Sequence, residues 1–402
     1  MRHKKTRFWI SILAGIMTLM LLAGCAVIPG TAEKTTAETS AVSEIIDTSA
    51  ADAQSETESS AADSPAVGDE SITDSESKTI TVEDNKTVEI TEAGTYTFTG
   101  SAENFSIRVN VDKEEKVWIV LDSVTVTNED APVIYVVSAD KVHVVTNGSS
   151  MLTVTGVFAA DGETNLDAVI FAKDDLELEG DGELTIVSAK ANGISCKNDL
   201  EFTGGTYRIE TAEDAIEAED SITITDGTFT ITSGKDAIHC ENDEDDAAGS
   251  VEISGGTFAI VAADDGVQAQ TTLTINGGEL NITAAEGLEA TSVEINDGMI
   301  SVSASDDGIN ATDKSSACTV EIVINGGEIY VSMGAGDTDA IDSNGNLYIN
   351  GGTINITAQS AFDYDGIGQL NGGTVIVNGS QITQLSNSMM GGGFGGMGGM
   401  RP

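Results

Sequence analysis

Residues 265–302 read DGVQAQTTLTINGGELNITAAEGLEATSVEINDGMISV and hold one phrase twice. An acid, a glycine and an apolar residue open it (Asp265–Ala269, Glu286–Ala290). A short alternating segment ending in Asn follows (LTIN, VEIN), and Gly-Gly or Asp-Gly then leads into a second alternating segment. Alternation at period two is the pattern of strands with one buried face, and three such strands joined by tight turns make a three-sided coil.

Outward from this stretch, the opening piece returns as Asp214–Ala218 (DAIEA), Asp236–Cys240 (DAIHC) and Asp307–Ala311 (DGINA). The turn piece returns as GGTFAI from Gly255 and GGTINI from Gly351. Between Asp167 and Gly379 the period is about 20 to 30 residues, the mark of a solenoid. The unit is too short for a four-stranded propeller blade, and its alternation excludes an α-solenoid. The reading is all-β: a right-handed parallel β-helix solenoid of about ten three-sided coils over residues 79–385, with residues 79–115 as an N-terminal cap.

Stacked coils place equivalent residues about 4.8 Å apart in columns. One inward column is expected to be Tyr207, Phe229, Phe258, Leu280, Ile300, Ile329, Ile354 and Val375. A second is Ile209, Ile231, Ile260, Ile282, Val302, Val331, Ile356 and Val377. Asn276, Asn296, Asn325, Asn350 and Asn371 precede the turns at one phase and are expected to pair by their side-chain amides. Cys196 and Cys240 share a phase two coils apart, roughly 10 Å, too far for a disulfide. They and Cys318 are read as small buried thiols, since no His stands at a fixed spacing from any of them.

The flanks differ in kind. Residues 1–24 carry Arg2, Lys4, Lys5 and Arg7, then an apolar run from Phe8 to Leu22 that ends in LAGC. This is the pattern of a lipoprotein signal peptide, whose cleavage leaves Cys25 lipidated. The protein is then tethered at the extracellular face of the cell envelope without spanning the membrane. Residues 25–78 form a solvated Ser/Thr/Ala/Glu linker reaching roughly 40 Å. Residues 386–402 form a Gly/Met-rich tail expected to be disordered. Removing the four early cations leaves 14 of the 18 basic residues against 66 acids, a net charge of −52. Such a chain repels nucleic acid and anionic surfaces and attracts divalent cations. It is expected to act as a monomer.

The chemistry is expected on the opening strand of each coil. Its acids are Asp167, Asp214, Asp236, Asp265, Glu286, Asp307, Asp339 and Asp365, with Asn192 the one amide and with doubled pairs Asp264-Asp265 and Asp306-Asp307. Two bare carboxylates 4.8 Å apart repel by roughly 3.5 kcal/mol at an effective dielectric of 20. The column must therefore be solvated or bound to metal. Calcium, which takes six to eight oxygen ligands, fits the donor set. The densest candidate is Asp337, Asp339, Asp342 and Asn344 with Asp363 and Asp365. The alternative is a solvated acidic edge. Beside the acids run Ser195, Glu217, His239, Gln268, Glu289, Asn310 and Asp342, one polar residue per coil, placed to follow an extended sugar chain or to form an ordinary solvent face. Tyr330 and Tyr348 point outward and can stack on sugar rings. His143 and His239 are too scattered in sequence to suggest zinc.

Residues 90–155, with GTYTFTG, VWIVLDSVTVTN and APVIYVVSADKV, and residues 339–380, with DAIDSNGNLYINGGT, FDYDG and NGGTVIV, resemble a bacterial carbohydrate-binding β-helix domain family. The resemblance implies a lyase-like fold, calcium along the helix, and capture of cellulose or acidic polysaccharide. The preferred reading is thus a calcium-carrying, non-catalytic polysaccharide-binding lipoprotein. The alternatives are a pectate-lyase-like enzyme and a structural spacer or adhesin. A lyase needs a base, and past Arg208 the body offers only Lys235 and Lys314.

Overall fold

The computed structural model describes residues 77–335 and 338–387; the signal segment, Cys25, the linker up to residue 76, Asp337 and the Gly/Met tail lie outside the described residues. Among the described residues every regular element is a β-strand. One coil comprises Asp265–Ala269, Thr272–Ile275 and Glu279–Ala284. Each strand pairs in parallel with its copy in the next coil, Glu286–Ala290, Ser292–Ile295 and Met299–Ala304. The result is the expected parallel β-helix.

The opening strands stack into a twelve-stranded sheet, the first face. The second and third faces share a twenty-two-stranded sheet, because strands such as Asp199–Thr211 and Ser221–Ser233 run round the corner without a break. Gly205 (φ 92°) and Gly227 (φ 134°) sit at that corner, in the left-handed region that only glycine enters without strain. The stack is longer than the repeat suggests. Lys86–Ile90 and Phe105–Asn110 pair in parallel with the strands beyond them, so residues 79–115 are themselves the first coils and not a separate cap. Those coils keep the alternation but lack the DGI and NGG turns, which is why the repeat alone did not count them.

Both expected inward columns are in register along their whole length. The first face adds a third: Ile107, Ile134, Ile170, Ile194, Ile216, Ile238, Val267, Leu288, Ile309, Ile341 and Phe362. All are buried, and each fully buried aliphatic side chain contributes about 1.5–3 kcal/mol relative to exposure. Tyr207, Phe229 and Phe258 stack face to face, with ring centroids 5.1 and 4.6 Å apart. Cys196 and Cys240 are free and buried in one column, separated by Ala218.

The asparagines form an unbroken chain of amides. Asn296 donates to Asn276 (2.9 Å), Asn325 to Asn296 (2.8 Å), Asn350 to Asn325 (2.9 Å) and Asn371 to Asn350 (2.9 Å). At the far end the chain reverses: Thr374–Val377 pairs antiparallel with Ser380–Ile382. Asn378 (φ 51°) and Gly379 (φ 79°) make the turn, both in the left-handed conformation that a type I′ hairpin requires.

Asn350→Ala breaks two links of the amide chain and Asn371→Ala one. Each exposed bond is worth about 0.5–1 kcal/mol, so urea unfolding is expected to show the first loss at roughly twice the second; equal losses would mean that the amides act singly.

Candidate functional site

The opening strands put alternate side chains outside, and register turns these into a row: Ser195, Glu217, His239, Gln268, Glu289, Asn310, Asp342 and Asp363. Toward the N-terminal end the row continues as Phe171, Tyr135 and Arg108. The row is the floor of a trough, since Gln268, Glu289 and Asn310 are only 6–7% exposed. Two insertions line one side. Equivalent acids stand 22 residues apart from Asp214 to Asp236, but 29 from Asp236 to Asp265 and 32 from Asp307 to Asp339. The added chain lies after Cys240 and after Ala311. Across about 70 residues of sequence the two insertions meet: the Ser316 N–H (3.0 Å) and hydroxyl (2.6 Å) donate to Asp246. Irregular repeat length was the signal for this wall.

The acids at the strand starts point along the stack. The N–H of Asp214 donates to Asn192 Oδ1 (3.0 Å), that of Asp236 to Asp214 Oδ1 (2.9 Å), that of Asp265 to Asp236 Oδ1 (2.7 Å) and that of Asp339 to Asp307 Oδ1 (2.9 Å). One oxygen of Asp214, Asp236 and Asp307 thus holds the next coil, and the other oxygen of Asp214 and of Asp236 turns toward His239 in the row. Asp365 does not belong to this column: Ser360 stands opposite Asp339 and donates its hydroxyl to it. Asp365 lies past the strand end, its N–H on the Ser343 carbonyl. The same register puts Asp363 beside Asp342.

Counter-charges meet only some of these carboxylates. The His239 Nδ1 lies 3.5 Å from Asp214 and 3.7 Å from Asp236, and its Nε2 3.2 Å from Glu241. Burial disfavours the imidazolium, but Asp214 and Asp236 outweigh it and raise its pKa to about 9. His239 is therefore an internal cation at neutral pH. On the next coils the oxygens of Asp265, Glu286 and Glu289 lie within 4.8 Å of one another, and so do those of Asp236, Asp264 and Asp265. Lys314 reaches Glu289 at 2.6 Å. Even so, burial and the surrounding carboxylates push Asp265 and Glu286 well up. Asp342 is raised to about 7 by burial and by Asp307 and Asp363. Asn310 donates to Glu286 (2.8 Å) and Glu289 (3.1 Å), while its own buried Oδ1 has no donor. This trough holds more negative charge than its own cations neutralise, and it offers an orphaned oxygen beside it.

The C-terminal aspartates are arranged more loosely. Asp339, Asp342 and Asp363 form no three-ligand group within 4.8 Å among the described residues, Asp337 lies outside them, and Asn344 donates to Thr312 (3.3 Å) in the coil before. The tightest carboxylate clusters are in the middle coils instead, and Asp306 flanks the column as an exposed residue. Tyr330 belongs to the third face and Tyr348 to the second, so neither joins the trough. Lys235 pairs with Glu213 at 3.1 Å; its pKa, like that of Lys314, is raised. For Lys235 the Glu213 contact is the main cause. For Lys314, burial opposes the rise and Glu289 overcomes it. Both are held as ammonium ions, the wrong state for a base.

A family model described as "Carbohydrate-binding domain-containing protein" matches residues 84–337 and, again, 286–388. A curated protein of the same description from Acetivibrio thermocellus is 35% identical over 129 residues, 31% of this chain and 44% of that protein. The chain thus spans less than half the length of that relative. A solved structure described as a polysaccharide lyase-like protein from C. thermocellum, in a gadolinium derivative, is 31% identical and aligns with a TM-score of 0.48, over 51% of this chain and 90% of the other. With the family model matching from residue 84 to residue 388, this chain belongs to the carbohydrate-binding domain-containing protein family.

Proposed function

We propose that the protein captures polysaccharide without cleaving it, along the trough of the first face, with calcium held by the trough carboxylates. The observation that carries this reading is the continuous row from Glu217 to Asp363, one polar side chain per coil, flanked by carboxylates such as Asp265 and Glu286 with raised pKa. A linear glycan presents a repeating set of hydroxyls, and a row with one donor or acceptor per rung can follow it. An acidic glycan is repelled by a chain of this charge unless cations stand between, and calcium prefers the all-oxygen set of Asp265, Glu286, Glu289 and Asn310. Near the N-terminal end a concavity of about 260 Å³ beside Arg108, Tyr135 and Asp161 has the size for one sugar unit. The lysines proposed for a lyase favour no second reading. We place the protein on the outer face of the envelope, tethered through a lipid on Cys25.

In calorimetric titration Asp265→Asn and Glu286→Gln are each expected to weaken calcium about tenfold, since each replaces a charged ligand by a neutral oxygen. Polygalacturonate binding is expected to fall in parallel. Unchanged calcium affinity in both variants would leave the column a solvated edge, and glycan binding that survives EDTA would assign recognition to the polar row alone.

Stability is expected to depend on pH in a calcium-sensitive way. Asp236 is raised to about 6 and Asp342 to about 7, above an ordinary carboxyl near 4. A group raised in the folded state stabilises fully below its unfolded pKa and loses that contribution as pH rises through the folded value. Without calcium the melting temperature should therefore fall between about pH 4 and pH 7. Calcium replaces the lost protons, so its stabilising shift should be larger at pH 8 than at pH 5; an equal shift at both would remove the carboxylates from the site. Membrane partitioning tests the tether: Cys25→Ala is expected to move the protein to the soluble fraction, and retention in membranes would reject lipidation there.

A further inference from the structure

The geometry points to a second metal site, for a divalent transition-metal ion of the zinc class, formed by His143, Glu177 and Glu179 on the second face. Lys141–Asn147 and Asp175–Gly180 are adjacent parallel strands in which His143 stands opposite Glu177, and Glu179 follows on the same side two residues later. His143 Nδ1 is 3.4 Å from Glu177 Oε2 and 3.5 Å from Glu179 Oε1, and the three ligand atoms lie within 4.8 Å of one another. A four-coordinate ion with bonds of about 2.0–2.1 Å has ligand atoms roughly 3.3–3.5 Å apart. The two distances from the imidazole match that edge.

A second observation separates this group from a chance gathering of acids. His143 is 9% exposed, and neither of its buried ring nitrogens makes a hydrogen bond. Nδ1 meets Glu177 and Glu179 only at ion-pair distance, and a metal ion seated between the three atoms would give that nitrogen the close partner a buried polar group requires. The surroundings fix the ligands in place. Trp118, opposite His143 on the preceding strand, stacks on the imidazole at 4.7 Å with planes 7° apart. Thr203 donates its hydroxyl to Glu177 Oε1 (3.3 Å), which leaves Oε2 to face the histidine. This is the kind of outer support that orients metal ligands. Lys141 stands 3.8 Å from Glu177 but is drawn to Glu201 at 2.9 Å.

The donor set also decides which metal. One imidazole and two carboxylates suit zinc and its neighbours, whereas calcium seeks six to eight oxygens. The two sites should therefore load independently. Three protein ligands leave a fourth position open on the side of Glu179, whose side chain is 32% exposed, for water or an incoming oxygen or nitrogen donor.

The test is calorimetric titration of the full chain with Zn²⁺ in millimolar Ca²⁺, with Co²⁺ as a spectroscopic probe. The parent is expected to bind Zn²⁺ and to give the visible absorption of four-coordinate Co²⁺. His143→Gln is expected to lower the zinc stoichiometry by one and abolish the band. Glu179→Gln, a change at a partly exposed side chain that spares the fold, should weaken zinc at least tenfold. His239→Gln and Asp265→Asn should leave this site as it is. If both His143→Gln and Glu179→Gln keep the parent's stoichiometry and affinity, or if loss of the band follows His239→Gln instead, the assignment is overturned. A failure of the calcium experiments would not touch it, since no ligand is shared.

Discussion

In this fold the strands of each coil are hydrogen-bonded, through the backbone, to the corresponding strands one coil away, so that residues of one phase stand side by side. A side chain must therefore be compatible with near copies of itself at a spacing of about 4.8 Å. Aliphatic groups meet the condition by packing, aromatic rings by stacking, and asparagines by passing an amide from coil to coil. Carboxylates do not meet it, because like charges at that spacing repel by several kcal/mol. The acid face is the place where the architecture is in conflict with itself, and its arrangement is a set of answers to that conflict.

The answers differ from coil to coil. One oxygen of Asp214, Asp236 and Asp307 takes the backbone N–H of the following acid and so becomes part of the stack. The remaining charge is met by an imidazolium at His239 and by an ammonium at Lys314, while at Asp265 burial and the neighbouring carboxylates raise the pKa. The clustered carboxylates could also hold a cation, which would act on several coils at once and tie metal binding to the cohesion of the solenoid.

The fold was legible because self-compatibility leaves a visible trace. The columns beginning at Tyr207 and Ile209, and the asparagines from Asn276 to Asn371, could be written out from spacing alone. The first coils were less legible because Phe105–Asn110 and its neighbours keep the alternation without the glycine turns. The acid column was readable as a column, but its direction was not, since Asp214 and its equivalents sit at a corner where period two gives no guidance. Asp365 was misplaced for a related reason: FDYDG looks like the DGI phrase, yet its strand, Ser360–Tyr364, begins five residues before that aspartate. His143 could not be joined to Glu177 and Glu179 before the register was known. More than thirty residues separate them in sequence, and only pairing of the two strands brings them together.

The antiparallel turn at Asn378 and Gly379 has a consequence for assembly. A stack of near-identical rungs has no intrinsic length, and its last rung is a template on which the first rung of another molecule can continue the same parallel ladder. Ser380–Ile382 fills the hydrogen-bonding edge of Thr374–Val377 while running the opposite way. On that face a second molecule would have to add to a strand of the wrong polarity and with the wrong side-chain phase. The hairpin opposes growth of the stack into a filament on that face.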